Sequence, residues 1–273
     1  MRPLTLHGGW SFCLIIKLTS VQLLEMGTFQ FKKFSVVNER SAMKVNTDGV
    51  LLGAVMTIKS EDRRLLDIGT GTGTIALMAA QRLASFADNS SDETPQISAI
   101  DIDEPSATEA ALNFSNSPWA DRLKAYNLPL DQYAETLPED ASFDLIFSNP
   151  PYFEDSLTAP DQRKSTARHT SDGLSYRDIL DFAVKRLSER GRVAFVLPSD
   201  QEFQLCRYAR MCGLHLFRMT KVRTVPRKAP SRMIAEFSRE RCDLPQEQLI
   251  TIQDEGKYTS QYLSLVHDYY MFA

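Results

Sequence analysis

The sequence contains little cysteine and histidine, and neither is grouped as in a metal site or a disulfide framework. Its four cysteines and four histidines are scattered over 273 residues without a CxxC pair. Closely spaced pairs of such ligands are typical of zinc sites, and regular cysteine frameworks are typical of small secreted proteins. We therefore expect no metal ion and reduced thiols, as in a cytoplasmic protein.

Long apolar runs are also missing. The best candidate, residues 11–24, is interrupted by Lys17 and is shorter than the roughly 18 residues that span a bilayer. The first residues have an arginine near their start but lack the small-residue cleavage site of a signal peptide. We expect no membrane segment, and we interpret residues 1–25 as a leader that is disordered or arises from a misassigned start.

Positive charge is not in excess, but it is unevenly distributed. The formal net charge is −4, which argues against a surface that is basic all over. Residues 85–140 nevertheless contain twelve acids against two bases, whereas residues 205–241 contain ten bases against two acids. A basic C-terminal third fits a surface that binds a polyanion, although a solvated surface without a partner would have the same composition.

The segments after Met26 alternate between β-like and helical patterns. Such alternation indicates a parallel sheet with helices on its faces. The predicted fold class is α/β, with a Rossmann-like, seven-stranded, mostly parallel sheet, helices on both faces and an antiparallel last strand. The predicted strands are residues 64–68, 96–101, 123–127, 143–148, 192–197, 213–223 and 232–237, and the predicted helices are 74–83, 104–115 and 176–187.

A glycine-rich stretch, Asp67-Ile-Gly69-Thr-Gly71-Thr-Gly73, separates the first of these strands from its helix. Glycines allow positive φ and close approach of a ligand to the backbone, and the first N–H groups of a helix are unpaired. The spacing differs from the Gly-x-Gly-x-x-Gly of dinucleotide sites, so a pyrophosphate is not expected. The carboxylate of Asp67 favours a cationic ligand, such as the amino acid part of S-adenosylmethionine, although an ordinary glycine-rich turn is the plainer alternative.

A second carboxylate, Asp101, ends the next predicted strand. At that place it can accept hydrogen bonds from both hydroxyl groups of a ribose. It lies further beyond Gly73 than the usual distance of about 20 residues, and the polar insertion at residues 85–95 accounts for the excess. The nearby Asp103 could serve as the N-cap of the following helix.

The stretch Asn149-Pro150-Pro151-Tyr152 follows another predicted strand. The prolines fix the backbone and remove donors, which leaves the Pro150 carbonyl and the Asn149 amide oxygen as acceptors. Two such acceptors can hold a planar NH2 group with its lone pair towards an incoming methyl group, while Tyr152 stacks on the ring. A sulfonium donor is already activated, so neither a metal nor a strong base is needed. A rigid turn without chemistry is the alternative.

Together these motifs resemble class I S-adenosylmethionine-dependent methyltransferases that act on planar amines. The segment Met43-Lys44-Val-Asn-Thr47-Asp48-Gly-Val-Leu-Leu-Gly is similar, more narrowly, to the MKVxTDGxLLG segment of bacterial tRNA(Val) adenosine-37 N6-methyltransferases. The resemblance extends from about residue 29 to the C-terminus. It implies a cytoplasmic monomer that methylates N6 of adenosine 37 in the anticodon loop of valine tRNA.

The resemblance also implies roles for individual residues. The residues expected to contact S-adenosylmethionine are Lys44, Thr47, Asp48, Asp67, Gly69, Gly71, Gly73, Asp101 and Asn149. The residues expected to hold the adenine and to be catalytic are Asn149, Pro150, Pro151 and Tyr152. Two basic segments, residues 167–169 and 222–232, look like the substrate-side segments of the family, and their candidate RNA contacts are Arg168, Arg223, Arg227, Lys228 and Arg232.

By the same resemblance, residues 26–273 form a single methyltransferase domain. Residues 26–60 hold the first strand and the segment over the cofactor, residues 61–240 the Rossmann-like core, and residues 241–273 a C-terminal extension. Within that extension, the aromatic content of residues 256–273 predicts a helix docked on the core. The sequence departs from the family pattern at the end of the third strand, residues 127–131, which lacks a clean acidic signature. Which residue there contacts the adenine of the cofactor is therefore left open.

Three alternative functions stay open. The chain could methylate N2 of guanine in ribosomal RNA, methylate a glutamine of a release factor, or bind RNA without catalysis. Release-factor enzymes carry a separate helical domain before the core, whereas residues 26–66 are largely strand-like here. A protein that only binds RNA would not need Asp67, Asp101 and the Asn-Pro-Pro-Tyr stretch together.

Overall fold

The computed structural model describes residues 27–86, 94–151 and 174–273, and the expected leader lies outside them. The helices are α1 (Thr47–Val55), α2 (Thr74–Ser85), α3 (Glu104–Ser115), α4 (Leu130–Thr136), α5 (Tyr176–Arg186), α6 (Glu202–Met211) and α7 (Ser260–Val266), with a 3-10 turn at Ser199–Gln201. The strands are β1 (Thr28–Gln30), β2 (Ser35–Val37), β3 (Arg64–Ile68), β4 (Gln96–Asp101), β5 (Leu123–Asn127), β6 (Phe143–Ser148), β7 (Leu187–Pro198), β8 (His215–Arg223), β9 (Arg232–Ser238), β10 (Gln246–Thr251), β11 (Gln253–Asp254) and β12 (Lys257–Tyr258). None of these helices is long and apolar enough to cross a bilayer.

Eight strands form the central sheet, in the order β10-β8-β9-β7-β6-β3-β4-β5. Strands β7, β6, β3, β4 and β5 run parallel to one another, and β10 is parallel to β8. Strand β9 is antiparallel to both β7 and β8. Helices α1, α2, α3 and α7 pack on one face, and α4, α5 and α6 on the other. The predicted α/β class, with a mostly parallel Rossmann-like sheet, is confirmed.

The predicted count of seven strands is wrong by one, because β10 adds an eighth at the edge of the sheet. It pairs with β8 from Gln246 opposite Arg218 to Thr251 opposite Arg223. Within β10 only Ile250 is buried. Its sequence therefore lacks the continuous apolar run that makes a strand buried on both faces recognisable.

Two further boundaries differ from the prediction. The segment expected as a first strand forms a separate hairpin, β1–β2, outside the main sheet. Strand β7 begins at Leu187 and includes Gly191, which the sequence pattern places just after a helix. A Cβ atom on Gly191 would lie 2.7 Å from the carbonyl oxygen of Phe143 in the neighbouring strand. Close approach of two strands, and not the end of a helix, explains this glycine.

The C-terminal residues pack on the core, as their aromatic content predicts. Tyr262, Tyr269 and Tyr270 are buried around α7. The backbone N–H of Lys32 donates to the carbonyl of Tyr269 at 2.8 Å, so the end of the chain also contacts the β1–β2 hairpin. The tyrosines thus close one side of the apolar core around α1 and α2.

Helix α1 is fixed at its C-terminal end by a buried glutamate and a partly buried arginine. Arg218 donates from Nη1 to the carbonyl of Val55 at 2.9 Å, and Oε2 of Glu236 accepts from the backbone N–H of Thr57 at 2.7 Å. Burial raises the pKa of the Glu236 carboxyl. The N-terminal turn of α1 lies at the carboxyl edge of the sheet, because its Asp48 pairs with Arg232, which lies opposite Pro198 at the end of β7.

Candidate functional site

The glycine-rich loop lies at the carboxyl edge of the sheet, between β3 and α2. Gly69, Gly71 and Gly73 have φ values of 73°, 56° and 81°, in the left-handed region that glycine adopts readily. At Gly73 the side chain of Phe114 also excludes any larger residue, because a Cβ atom would lie 2.5 Å from Cε1 of that ring. The loop is thereby held against α3, with its backbone facing a cleft.

Asp67 is the last residue but one of β3, beneath this loop, and is fully buried. Its Oδ2 accepts a hydrogen bond from Oγ1 of Thr70 at 2.7 Å. Its Oδ1 is also buried and accepts no hydrogen bond of normal geometry from the described residues. Burial, opposed by the Thr70 hydroxyl, raises the pKa of Asp67 to about 7. A buried carboxyl with one unsatisfied oxygen favours a donor or a positive charge nearby.

Asp101 ends β4 and supports the loop from the other side. Its Oδ2 accepts from the backbone N–H of Gly71 at 2.8 Å, and its Oδ1 accepts from that of Asp103 at 3.0 Å. Burial raises the pKa of the Asp101 carboxyl. Each carboxylate oxygen can accept more than one hydrogen bond, so the ribose role is compatible with these contacts. Asp103 caps α3, as its position predicts, by accepting from the N–H of Ser106 at 3.0 Å.

In residues 127–131, where the sequence left the contact to the cofactor adenine unassigned, Asn127 reaches this region. Its Nδ2 donates to the carbonyl oxygens of Asp101 at 3.1 Å and of Ile102 at 3.0 Å. The turn after β4 is therefore fixed by an amide from the end of β5, and the side chain of Ile102 is left exposed beside Asp101. No acidic signature is needed for this contact.

The segment before α1 is held by a buried carboxylate on α3. Oε1 of Glu109 accepts from the backbone N–H groups of Glu39 at 2.8 Å and Arg40 at 2.9 Å, and its Oε2 accepts from that of Ser41 at 2.9 Å. Glu109 is buried. Three donors on one carboxylate fix the course of this segment, because leaving any of them unpaired in the interior would be unfavourable.

A second residue of α3, Asn113, joins the same segment to the glycine-rich loop. Its Oδ1 accepts from the N–H of Val37 at 2.8 Å, and its Nδ2 donates to the carbonyl of Thr72 at 2.9 Å. Ser41 continues the contact, since a Cβ atom on Gly71 would lie 3.4 Å from its Oγ. Residues 38–46 thus lie over the loop as a wall, which we call the covering segment.

The covering segment and the start of α1 contain three predicted cofactor contacts. Lys44 is exposed and donates from Nζ to the carbonyl of Glu39. Thr47 begins α1 and is exposed, after the N-cap Asn46, whose Oδ1 accepts from Gly49 at 2.8 Å. Asp48 accepts on Oδ2 from Nε of Arg232 at 2.7 Å. An expected cofactor residue and an expected RNA residue are therefore paired with each other.

Asn149 follows β6 at the same edge and is buried. Its Nδ2 lies 3.3 Å from Sδ of Met43, so the covering segment contacts it directly. Pro150 is also buried, whereas Pro151 is exposed. The other members of the predicted set, Tyr152 and Arg168, lie outside the described residues.

These elements enclose one cleft at the carboxyl edge. Of the predicted residues, Lys44, Gly69, Gly71 and Asn149 line it, while Asp67, Gly73 and Asp101 are not among the described residues that line it. The sequence motifs did not single out the rest of its wall as site residues. These lining residues are Met43, Val45, Asn46, Gly49, Thr70, Thr72, Thr74 and Ile75.

The basic residues of 222–232 occupy the β8–β9 turn at the same edge of the sheet. Arg223 donates from Nε to Oγ1 of Thr251 at 2.8 Å and from Nη1 to the carbonyl of Pro226 at 2.9 Å, so it orders the turn. Arg227 and Lys228 are exposed at its tip. Arg232, opposite Pro198 at the end of β7, begins β9 and pairs with Asp48.

Known proteins are similar in sequence to this chain over most of its length. A protein of Parabacteroides distasonis named tRNA1(Val) (adenine(37)-N6)-methyltransferase is 40% identical over 244 residues, which cover 89% of this chain and 97% of that protein. A protein of the same name from Flavobacterium psychrophilum is 37% identical, covering 89% and 99%. The chain belongs to the tRNA1(Val) (adenine(37)-N6)-methyltransferase family. The family model described as UPF0020, RMKL-like, methyltransferase domain, also matches residues 54–229.

The fold of this family member agrees with that of a solved methyltransferase. The crystal structure of a predicted O-methyltransferase from Agrobacterium tumefaciens superposes with a TM-score of 0.55 at 16% identity, covering 80% of this chain and 95% of that one. At this identity the likeness concerns the fold alone. The resemblance stated from the MKVxTDGxLLG segment is confirmed by the sequence relatives.

The contacts that assemble the family's covering segment were missed by sequence reasoning. Glu109 and Asn113 lie in α3, for which the sequence predicts only a helix, and the hydroxyl group of Ser106, one turn earlier, is hydrogen-bonded to that of Ser41. Their spacing of three and four residues places all three on one face of α3. In the sequence, the signal available for these contacts was a set of polar residues at the spacing of a buried helix face.

Proposed function

We propose that this chain transfers a methyl group from S-adenosylmethionine to N6 of adenosine 37 in the anticodon loop of valine tRNA. The observation that supports this most directly is the position of Asn149. It lines the same cleft as Gly69 and Gly71, at the carboxyl edge of the sheet. The sequence relatives of the chain are named for this reaction.

The residues of the cleft fit S-adenosylmethionine. The unsatisfied Oδ1 of Asp67 and the raised pKa of its carboxyl favour a cationic neighbour behind the loop. Asp101 offers carboxylate oxygens for hydroxyl groups, and the positive-φ loop at Gly69 to Gly73 leaves its backbone open to the cleft. Lys44, Thr47 and Asp48 would contribute from the covering segment and α1. When bound, the cofactor supplies a methyl group that its sulfonium already activates.

The protein groups next to the amine are acceptors. We assign the Asn149 side-chain oxygen and the Pro150 carbonyl to the two hydrogens of the adenine NH2 group, an arrangement that orients the nitrogen lone pair. Both residues are buried, so their hydrogen bonds to a substrate would form away from water. Pro151 fixes the backbone, and Tyr152 completes the predicted set by stacking on the base.

A tRNA substrate fits the charges at this edge. Arg227 and Lys228 are exposed on the β8–β9 turn, where they can contact phosphates. A base of the anticodon loop is already unpaired, so moving it into the cleft costs less than extruding a base from a duplex. We assign Arg168 and Arg223 to the same RNA-facing side, and we expect the enzyme to act in the cytoplasm as a monomer.

The test is methyl transfer from labelled S-adenosylmethionine to total tRNA, to ribosomal RNA and to a release factor, each followed by mass spectrometry. Label in N6-methyladenosine of the tRNA fraction alone is the expected result. Label in guanine of ribosomal RNA or in glutamine would retain the cofactor assignment but refute the substrate. Absence of label in all three, with tRNA still bound, would favour a binding protein.

A further inference from the structure

Helix α6 has an outward face of unusual composition. Its inward residues, Leu205 and Ala209, are buried against the sheet. The helical period places the other face about 180° away. That face carries two arginines, both exposed, and two apolar side chains that are each 72% exposed; its residues are Phe203, Arg207, Arg210 and Met211.

The charge of this face is uncompensated by its own helix. The one acid between residues 202 and 211 is Glu202. Its Oε2 pairs with Nζ of Lys221 on β8 at 2.8 Å, so that carboxylate is engaged away from the arginines. The nearest acid in sequence before the helix is Asp200, exposed in the 3-10 turn. A face of arginines and apolar groups of this kind suits an anion with aromatic bases.

The face is continuous with the basic turn. The 3-10 turn that leads into α6 is joined to the β8–β9 connection, because the N–H of Ser199 donates to the carbonyl of Ser231 at 3.2 Å. Phe203, in the first turn of α6, therefore lies near the carboxyl edge of the sheet, on the side of Arg227 and Lys228. Arg210 lies about 10 Å further along the helix axis, away from the cleft.

We propose that the outward face of α6 binds the tRNA from the edge of the anticodon loop into the adjoining stem, as a continuation of the β8–β9 turn. Arg207 and Arg210 contact backbone phosphates, and Phe203 packs on an unpaired base near the cleft. This assignment rests on the proposed function and names the surface that its substrate would follow. A large substrate bound at the cleft edge must extend over neighbouring surface, and α6 offers positive charge and an aromatic ring there.

Charge favours RNA over a second copy of the chain as the occupant. A twofold interface brings a surface patch against the same patch of the partner. Arg207 and Arg210 would then oppose the same arginines without a carboxylate from α6 between them, which is unfavourable. A phosphate backbone satisfies the same groups directly.

The main test compares two double variants of equal charge change. Arg207→Ala/Arg210→Ala removes the proposed contacts, and Lys185→Ala/Arg190→Ala removes two exposed bases at the opposite, amino edge of the sheet. Affinity for valine tRNA is measured over a range of salt concentrations. We expect the slope of log K against log salt to become shallower by about 1.5 to 2 in the α6 variant only. S-adenosylhomocysteine affinity should stay unchanged in both.

A second variant tests the aromatic part. Phe203→Ala should weaken binding of the anticodon stem-loop about fivefold or more while leaving the salt slope unchanged, because a lost stacking contact is not ionic. An unchanged stem-loop affinity would contradict the role given to Phe203.

The outcomes separate this proposal from the proposed function. If the wild-type protein methylates tRNA and the α6 variant keeps both its affinity and its salt slope, the surface assignment is wrong and the activity stands. If the wild-type protein neither binds nor methylates tRNA, both are wrong. A wild-type dimer that Phe203→Ser/Met211→Ser converts to a monomer would show the face to be a self-interface and overturn the proposal.

Discussion

Arg232 donates from Nε to Oδ2 of Asp48 at 2.7 Å, which joins the start of β9 to the first turn of α1. Asp48 follows the covering segment of the cleft, and Arg232 follows the basic turn. Both side chains are partly exposed, with 22% and 34% of their surfaces accessible. The pair therefore connects the two sides of the site, and it gives Arg232 a role besides the RNA contact that the sequence predicts.

Removal of Arg232 should affect the cofactor more than the RNA. We expect Arg232→Ala to raise the Kd for S-adenosylhomocysteine by no more than about fivefold, in line with the roughly 1 kcal/mol of a partly exposed ion pair. The salt slope of tRNA binding should stay unchanged. Titration calorimetry and salt-dependent tRNA binding measure the two effects.

Arg227 and Lys228, exposed at the tip of the β8–β9 turn, provide the comparison with the Arg232 variant. Arg227→Ala/Lys228→Ala should make the salt slope shallower by about 1.5 to 2 and leave S-adenosylhomocysteine affinity as it is. If Arg232→Ala instead lowers the slope and spares the cofactor, Arg232 contacts phosphate and its pairing with Asp48 is incidental.

Asn149 should separate catalysis from cofactor binding. Asn149→Ala removes one of the two acceptors assigned to the amine, and we expect the methylation rate to fall about 100-fold or more, as when one preorganised polar group is deleted from an active site. S-adenosylhomocysteine affinity should change little. Initial rates and calorimetry on the same folded preparation test this, and a parallel loss of both would refute the assigned role.

Glu109 should control the covering segment. Glu109→Ala leaves the N–H groups of Glu39, Arg40 and Ser41 without their acceptor, and we expect unfolding free energy to fall by about 2 to 3 kcal/mol. The Kd for S-adenosylhomocysteine should also rise about tenfold, because this segment forms part of the cleft. The control is Glu104→Ala, an exposed glutamate in the first turn of the same helix.

The two readouts are needed together. Denaturant unfolding reports the loss of the three hydrogen bonds, and calorimetry at a temperature where the variant stays folded reports the cleft. Normal cofactor affinity in a destabilised Glu109→Ala protein would mean that the covering segment is not held for binding.

Asp67 should make the stability of the cofactor-free protein depend on pH. Its pKa is about 7 in the folded protein, and about 3.9 is usual in an unfolded chain. Between these values the folded state holds a proton that the unfolded state has lost, so its contribution to stability falls as pH rises from about 4 to 7. Asp67→Asn has no such proton.

The difference between the two proteins isolates this group from other titrating residues. We expect Asp67→Asn to gain stability relative to the wild type as pH rises through this window, measured by denaturant unfolding at each pH. A difference that stays constant from pH 4 to 7 would show that the folded carboxyl titrates normally.

The sequence predicts the sheet well where strands are buried on both faces. Strands β3, β4 and β6 have the predicted boundaries because their apolar runs stop at clear signals, which are the glycine-rich loop after Ile68, Asp101 at the end of β4 and Asn149 after β6. Strand β10 was missed since an edge strand with one buried residue has no such run. Gly191 misled the prediction of the start of β7, because close packing of strands and helix termination both select glycine.

Part of the site follows from the sequence as well. The glycine-rich loop, Asp101 and Asn149 stand directly after strands, so parallel topology alone brings them to one edge. Glu109 and Asn113 act on backbone N–H and carbonyl groups some 70 residues away in sequence. Polar residues at core spacing on α3 indicate buried polar contacts, but backbone partners leave no trace in the identity of the residues that supply them, so only the fold reveals which groups are contacted.

The most direct test of the account is position-specific methylation of valine tRNA. Two transcripts that differ only in adenosine or guanosine at position 37 are incubated with enzyme and labelled S-adenosylmethionine, and the label is located by nucleoside mass spectrometry. We expect N6-methyladenosine in the first transcript and no label in the second. Equal labelling of both transcripts, or label in neither, would contradict it.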